Sequence, residues 1–388
     1  MSVVAPGLSV AVVGSGPAAC YAVQALIDSR VEGLRIEVFE KLPTPFGLAR
    51  FGVAPDHVKT RSITETFARA LESPEVTLHL GVEVGADVAH DELAGSHDAI
   101  LYAHGCAGSA MSEVPGHHLP GSHTARSFVE WYNGHPQRER DEFDLTSERA
   151  VVIGNGNVAL DVARILSRPV DDLATTLIAP RALEALAASR VREVVVLGRR
   201  GPREAAFSLS ELVGLCQLDD VDVVVDGVSE ADGETFVDQR ADALASYKLR
   251  LLRTLVHSSN SSSASRRRIV LKFRTRAVEL LGDRHVESVR LRQSAGFESE
   301  SSMDSGLVLH AVGYRGRRLP GLPFDEARGI VPNVAGRVTA VAGDEPVAGV
   351  YVAGWIKRGP SGVMGTNKWC ARESVEQLLT DHRDGSSV

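Results

Sequence analysis

The chain has 388 residues, 44% of them apolar and 24% charged, a balance found in globular domains and not in disordered or membrane-embedded chains. Its net charge of -8, from 42 basic and 50 acidic residues, argues against nucleic acid as a partner. No apolar stretch is long enough to span a bilayer, and the length suggests two cores rather than one.

The first apolar run, Leu8 to Val13, passes straight into a glycine turn with no basic region or cleavage site around it, so it reads as a strand and not as a secretory signal. Next come Gly14-Ser15-Gly16-Pro17-Ala18-Ala19, a helical pattern through Tyr21, Leu26 and Ile27, and a second strand over Arg35 to Phe39 that ends at Glu40-Lys41. Together these form a βαβ unit. The grammar returns at Ala150 to Ile153, followed by Gly154-Asn155-Gly156-Asn157-Val158-Ala159, a helix through Leu160, Ala163 and Leu166, and a strand over Val194 to Leu197. Further along, Ser258 to Arg268 and Ser294 to Ser305 read as polar surface loops, with Arg266 to Arg268 a solvated cluster. They bracket alternating runs at Ile269 to Thr275 and His285 to Leu291, expected to be strands of a β-meander. Leu307 to Val312 and Val350 to Gly354 read as two more strands, and Gly362 to Leu379 carries a helix.

A glycine-rich turn gains meaning when a strand precedes it and a helix follows, and both copies satisfy this. In the first, Gly14 allows the tight turn, Gly16 lets backbone approach a pyrophosphate, and Ala19 permits close helix packing. Pro17 and Ala18 open the helix whose positive end faces the phosphates. Glu40, with Lys41 beside it, supplies a carboxylate for ribose hydroxyls, which favours FAD or NAD. In the second copy the contacts fall to Gly154, Asn155, Gly156, Asn157 and Val158. There the second strand ends in Gly198-Arg199-Arg200-Gly201, and two guanidiniums at that position suit the 2′-phosphate of NADP. The four cysteines, Cys20, Cys106, Cys216 and Cys370, form no CxxC pair, so a zinc site, an iron–sulfur site and a redox dithiol are not indicated. They read as thiols of a reducing cytoplasm, Cys106 as a packed small residue. Hydride passing from NADPH to FAD must then leave as electrons for something outside the chain.

The segments Gly14 to Ala19, Leu42 to Arg50 leading to Gly52 to His57, Gly154 to Leu166, Gly198 to Pro202 and Gly354 to Pro360 resemble the adrenodoxin-reductase-like NADPH–ferredoxin reductases, especially actinobacterial members. The resemblance implies two Rossmann-like α/β domains: an FAD domain of residues 1–104 and 314–388, and an inserted NADP domain of residues 105–313. It implies that Leu48 packs on FAD, that Val82 contacts it through backbone, that Trp355 lies beside the flavin, and that Gly362, Val363 and Met364 face it, Gly362 also near NADP. His57 and Glu211 would orient the nicotinamide, and a ferredoxin-type iron–sulfur protein would take the electrons, with no metal in the chain itself. The turn His104-Gly105-Cys106 departs from the family pattern. Relatives also continue past the point where these 388 residues stop. A flavin enzyme acting directly on a small organic substrate or quinone, and an electron-input subunit held in a larger complex, are the rival readings.

Overall fold

Strands such as Ser9–Val13 are buried along their whole length, as parallel sheets covered by helices on both faces require. The computed structural model describes residues 7–109, 111–228, 241–258, 266–293, 299–341, 343 and 345–385. The chain forms two units: Met1–Val53, His57–Ser109 and Gly313–Val388 make the first, and Ala54–Asp56 with Ala110–Val312 make the second. The second is thus inserted in the first, and both are Rossmann-like. The first unit keeps residues 105–109 and Gly313, while Ala54–Asp56 count with the second.

In the first unit the sheet runs Asn333–Val334, Arg337–Thr339, Pro346–Val352, Ala99–Tyr102, Ser9–Val13, Arg35–Glu40, Val76–Leu80. From Pro346–Val352 to Val76–Leu80 all neighbours are parallel. Helices Pro17–Asp28 and Met364–Arg383 supply Ala19, Val23, Leu26, Ala371, Val375 and Leu378 to the core on one face. On the other face Phe39, Tyr102, Phe324 and Ile356 pack together.

The second unit has a six-stranded sheet in the order Ser122–Thr124, Leu307–His310, Arg149–Ile153, Glu193–Leu197, Arg267–Lys272, Val221–Asp226. Its neighbours are all parallel. Three expectations are corrected here. The run at Ile269 belongs to this sheet as an inner parallel strand, and the meander is instead Thr275–Leu281, Ser288–Gln293 and Glu300–Asp304. Arg267 and Arg268 open the inner strand rather than closing a loop: Arg268 pairs with Glu193 at 2.6 Å, and Arg267 donates to the Arg168 carbonyl at 3.1 Å. Only part of the segment Ser294 to Ser305 is loop, since Glu300–Asp304 is strand; residues 259–265 and 294–298 lie outside the described residues.

Candidate functional site

At the first turn Gly14 has φ 98°, a left-handed conformation open to glycine, and a Cβ there would come within 2.9 Å of the Ala103 carbonyl. Gly16 differs. It has φ -73° at the start of helix Pro17–Asp28, and a Cβ would meet nothing within 4 Å. The fold therefore requires glycine at 14, while glycine at 16 keeps space open over the helix start. That helix has no side-chain cap and no acid in its first turn, so its leading N–H groups suit an anion.

Glu40 is buried. Its Oε2 accepts from the Ser15 amide at 3.0 Å and the Ser15 hydroxyl at 2.6 Å, and its Oε1 from the Leu42 amide at 2.9 Å. Three donors hold this carboxylate at the turn, and a carboxylate has about four acceptor sites. The following segment is fastened to the same turn: the Phe46 amide donates to the Ser15 carbonyl at 3.1 Å. Phe46 itself is held at φ 87°, a conformation that costs a non-glycine residue about 1–3 kcal/mol and clusters at ligand sites. Leu48 lies in the short helix Gly47–Phe51 just beyond. Lys41 is partly exposed, 3.9 Å from Glu83. The Val82 amide donates to the Glu40 carbonyl at 3.0 Å, so a backbone contact from Val82 to a ligand falls to its carbonyl.

Trp355 opens the helix Trp355–Arg358. Its indole N–H donates to the Ser361 carbonyl at 3.1 Å, and its ring lies 5.2 Å from that of Tyr314. Gly362 has φ 82°, Val363 is 65% exposed, and Met364 begins the helix Met364–Arg383. His57 is half-buried at the start of helix Val58–Arg61.

In the second unit Gly154 has φ 119°, and a Cβ would overlap the Ala311 carbonyl, whereas Gly156 again faces open space. The Asn155 carbonyl accepts from the Phe207 amide at 3.0 Å, and the Asn157 side chain accepts from the Ser208 amide at 2.7 Å. Both asparagines thereby fasten the segment before helix Leu209–Cys216, which carries Glu211. Val158 packs partly buried against the core. Arg199 and Arg200 are exposed, and neither enters an ion pair among the described residues.

Sequence reasoning missed the charged cluster behind Glu211. Arg164, 5% exposed, meets Asp56 at 2.7 and 3.0 Å, Asp161 at 2.7 Å and Glu211 at 3.5 Å. Arg168 adds a second contact to Asp56 at 3.1 Å. Burial opposes the charge on Arg164, but hydrogen bonds to Asp56 and the fields of Asp161 and Asp56 outweigh it, so its pKa is raised. The one signal available was the i, i+3 spacing of Asp161 and Arg164. Cys20 and Cys216 are poor nucleophiles: burial pushes both thiols up, and neither is in a disulfide.

Two parallel-sheet units, each with a glycine turn at a helix start, make a pair of dinucleotide-binding folds. Residues 8–195 match the family described as Pyridine nucleotide-disulphide oxidoreductase. The chain is 46% identical over 382 residues to a Mycobacterium tuberculosis protein named ferredoxin/ferredoxin–NADP reductase, covering 97% of this chain and 65% of that protein's length. It is 44% identical to NADPH-ferredoxin reductase FprA of Mycobacterium tuberculosis, with 95% and 83% covered. The mitochondrial NADPH:adrenodoxin oxidoreductase of Arabidopsis thaliana is 37% identical, with 97% and 83% covered. The solved structure of FprA in complex with NADPH superposes with a TM-score of 0.88 at 40% identity, covering 99% of this chain and 87% of that one. The chain belongs to the NADPH–ferredoxin reductase family of adrenodoxin-reductase type. No helix among the described residues is long and apolar enough to cross a membrane.

Proposed function

We propose that the protein is an FAD-containing reductase that draws electrons from NADPH and passes them to a ferredoxin-type iron–sulfur carrier in the cytoplasm. The observation that carries this reading is the contrast between the two turns: a buried, fully positioned carboxylate, Glu40, at the first and two exposed guanidiniums, Arg199 and Arg200, at the second. The first suits the ribose of FAD; the second suits a 2′-phosphate. Bound FAD supplies hydride acceptance and one-electron release, chemistry that belongs to the cofactor.

The protein's own residues bind and orient. Gly16 and the start of helix Pro17–Asp28 receive the FAD pyrophosphate, with Pro17 and Ala18 at its edge and Lys41 beside the ribose. Leu48, Trp355 and the Gly362–Met364 turn line the flavin, and Val82, bound to the Glu40 carbonyl, meets FAD through its own carbonyl. Gly154 to Val158 receive the NADP pyrophosphate. His57 and Glu211 orient the nicotinamide, and Arg164 positions Glu211 through its hydrogen bond. Hydride transfer depends on alignment, and an error of about 1 Å can cost ~100-fold in rate. The four cysteines form no CxxC pair and so offer no dithiol relay, which leaves a separate partner to take the electrons.

The test is turnover by the purified protein. It should be yellow with non-covalent FAD and should oxidise NADPH rapidly only when a ferredoxin is added, read through reduction of a terminal acceptor such as cytochrome c. A colourless folded protein that takes up no FAD would end the reading. Rapid turnover of a quinone or small organic substrate without any ferredoxin would replace it with the direct-reductase alternative.

A further inference from the structure

At the carboxyl ends of the first unit's strands, where parallel sheets bind ligands, stands a histidine that none of the roles above uses. His104 follows strand Ala99–Tyr102, and its Cα lies 3.0 Å from where a Gly14 Cβ would be, so its backbone rests against the glycine turn. Its ring meets that of Tyr102 edge to face, 6.0 Å between centroids. Tyr102 belongs to the core face on which Val82 also packs. Both ring nitrogens are shielded from solvent and complete no hydrogen bond among the described residues. The Arg317 backbone lies near and favours the charged form, yet burial and the charge of Lys41 prevail and push the pKa down to about 4. The ring is therefore neutral at pH 7, with one donor and one acceptor nitrogen. Leaving such groups unpaired in a closed site is costly, which points to a ligand as their partner.

We propose that His104 is an adenine-binding residue of the first unit, one of its unpaired ring nitrogens hydrogen-bonding the edge of the FAD adenine beside Glu40, Lys41 and Val82. Adenine presents an amino donor next to ring-nitrogen acceptors, so whichever nitrogen of the neutral imidazole faces it, the acceptor or the donor, finds a counterpart there. The pyrophosphate would call for a cation, and the Gly14–Gly16 turn already receives it. This inference rests on the assignment of FAD to the first unit and adds a residue that the turn motif does not contain.

The experiment measures the FAD affinity of the full-length holoprotein, from the rise of flavin fluorescence on serial dilution, for the parent, His104→Val and His104→Gln. NADP+ affinity, from perturbation of the flavin spectrum, is followed alongside. Loss of one hydrogen bond corresponds to FAD weakened about 2- to 12-fold in His104→Val. NADP+ affinity should be unchanged, and His104→Gln, which keeps a donor and an acceptor, should recover most of the loss. Unchanged FAD affinity in His104→Val would overturn the proposal. So would equal weakening of FAD and NADP+, which marks a general folding defect, or a Gln variant as weak as the Val variant, which marks shape rather than hydrogen bonding. A parent protein that binds no FAD would instead defeat the flavoprotein assignment itself.

Discussion

Arg199 and Arg200 stand out because they are charged, exposed and without acidic partners among the described residues, whereas Arg164 spends its charge on three carboxylates. Hydrogen bonds to a charged group contribute about 1.5–3 kcal/mol each. Replacing both exposed arginines by Ala should therefore weaken NADPH by at least ~100-fold and leave NADH almost untouched, with melting temperature unchanged. Titration of flavin reduction against each nucleotide checks this. Equal loss for the two nucleotides would assign the arginines to general binding. These residues were legible because they sit at a fixed offset from a recognisable turn. Arg164 was not: its partner Asp56 is 108 residues away, and no local pattern announces a pairing made only by the fold.

The strand–turn–helix elements separate two kinds of glycine that look alike in a motif. Gly14 is demanded by φ and by the Ala103 carbonyl, whereas Gly16 has ordinary φ and open space around its missing side chain. Gly14→Ala should therefore destabilise the first unit by about 1–3 kcal/mol from backbone strain alone, lowering the denaturation midpoint. Gly16→Ala should melt within about 0.5 kcal/mol of the parent yet bind FAD at least ~10-fold more weakly, because the added methyl fills the space kept for the pyrophosphate. A Gly16→Ala protein with full FAD affinity would show that the space serves something else. The two βαβ units were readable because a parallel strand, a glycine turn and an apolar helix stripe each leave a local mark. The strand Arg267–Lys272 was misplaced for a physical reason. Its alternation of buried and half-buried residues is the same in a meander and at the partly covered side of a parallel sheet, and only its neighbours Glu193–Leu197 and Val221–Asp226 distinguish the two.

At the scale of the whole molecule, acid should act through buried histidines. His310, 2% exposed, accepts from or donates to Ser122 Oγ at 2.9 Å, and burial, then the fields of His117 and His123, push its pKa down to about 4. An unfolded histidine titrates near 6.5, so between about pH 6.5 and 4 the unfolded chain binds the extra proton. The stability that a neutral His310 preserves is thus full above about pH 6.5, is lost as pH falls to about 4, and levels off below. The loss is on the order of 3 kcal/mol at its limit. Urea midpoints of the second unit's transition should fall across this window, and less so for His310→Gln; a parent midpoint constant from pH 7 to 4.5 would contradict the assignment.

The insertion of one unit within the other also has a consequence during synthesis. Strand Ala99–Tyr102 must pair with Pro346–Val352, whose first residue leaves the ribosome about 240 residues after Tyr102. At roughly 5–20 residues per second, that is a wait of about 10–50 s, during which the nascent sheet presents a bare hydrophobic edge, the kind that recruits stray strands. The inserted unit, whose sheet is drawn entirely from residues made in that interval, can fold while its host is still incomplete, so the order of emergence from the ribosome makes the second nucleotide fold the earlier to mature.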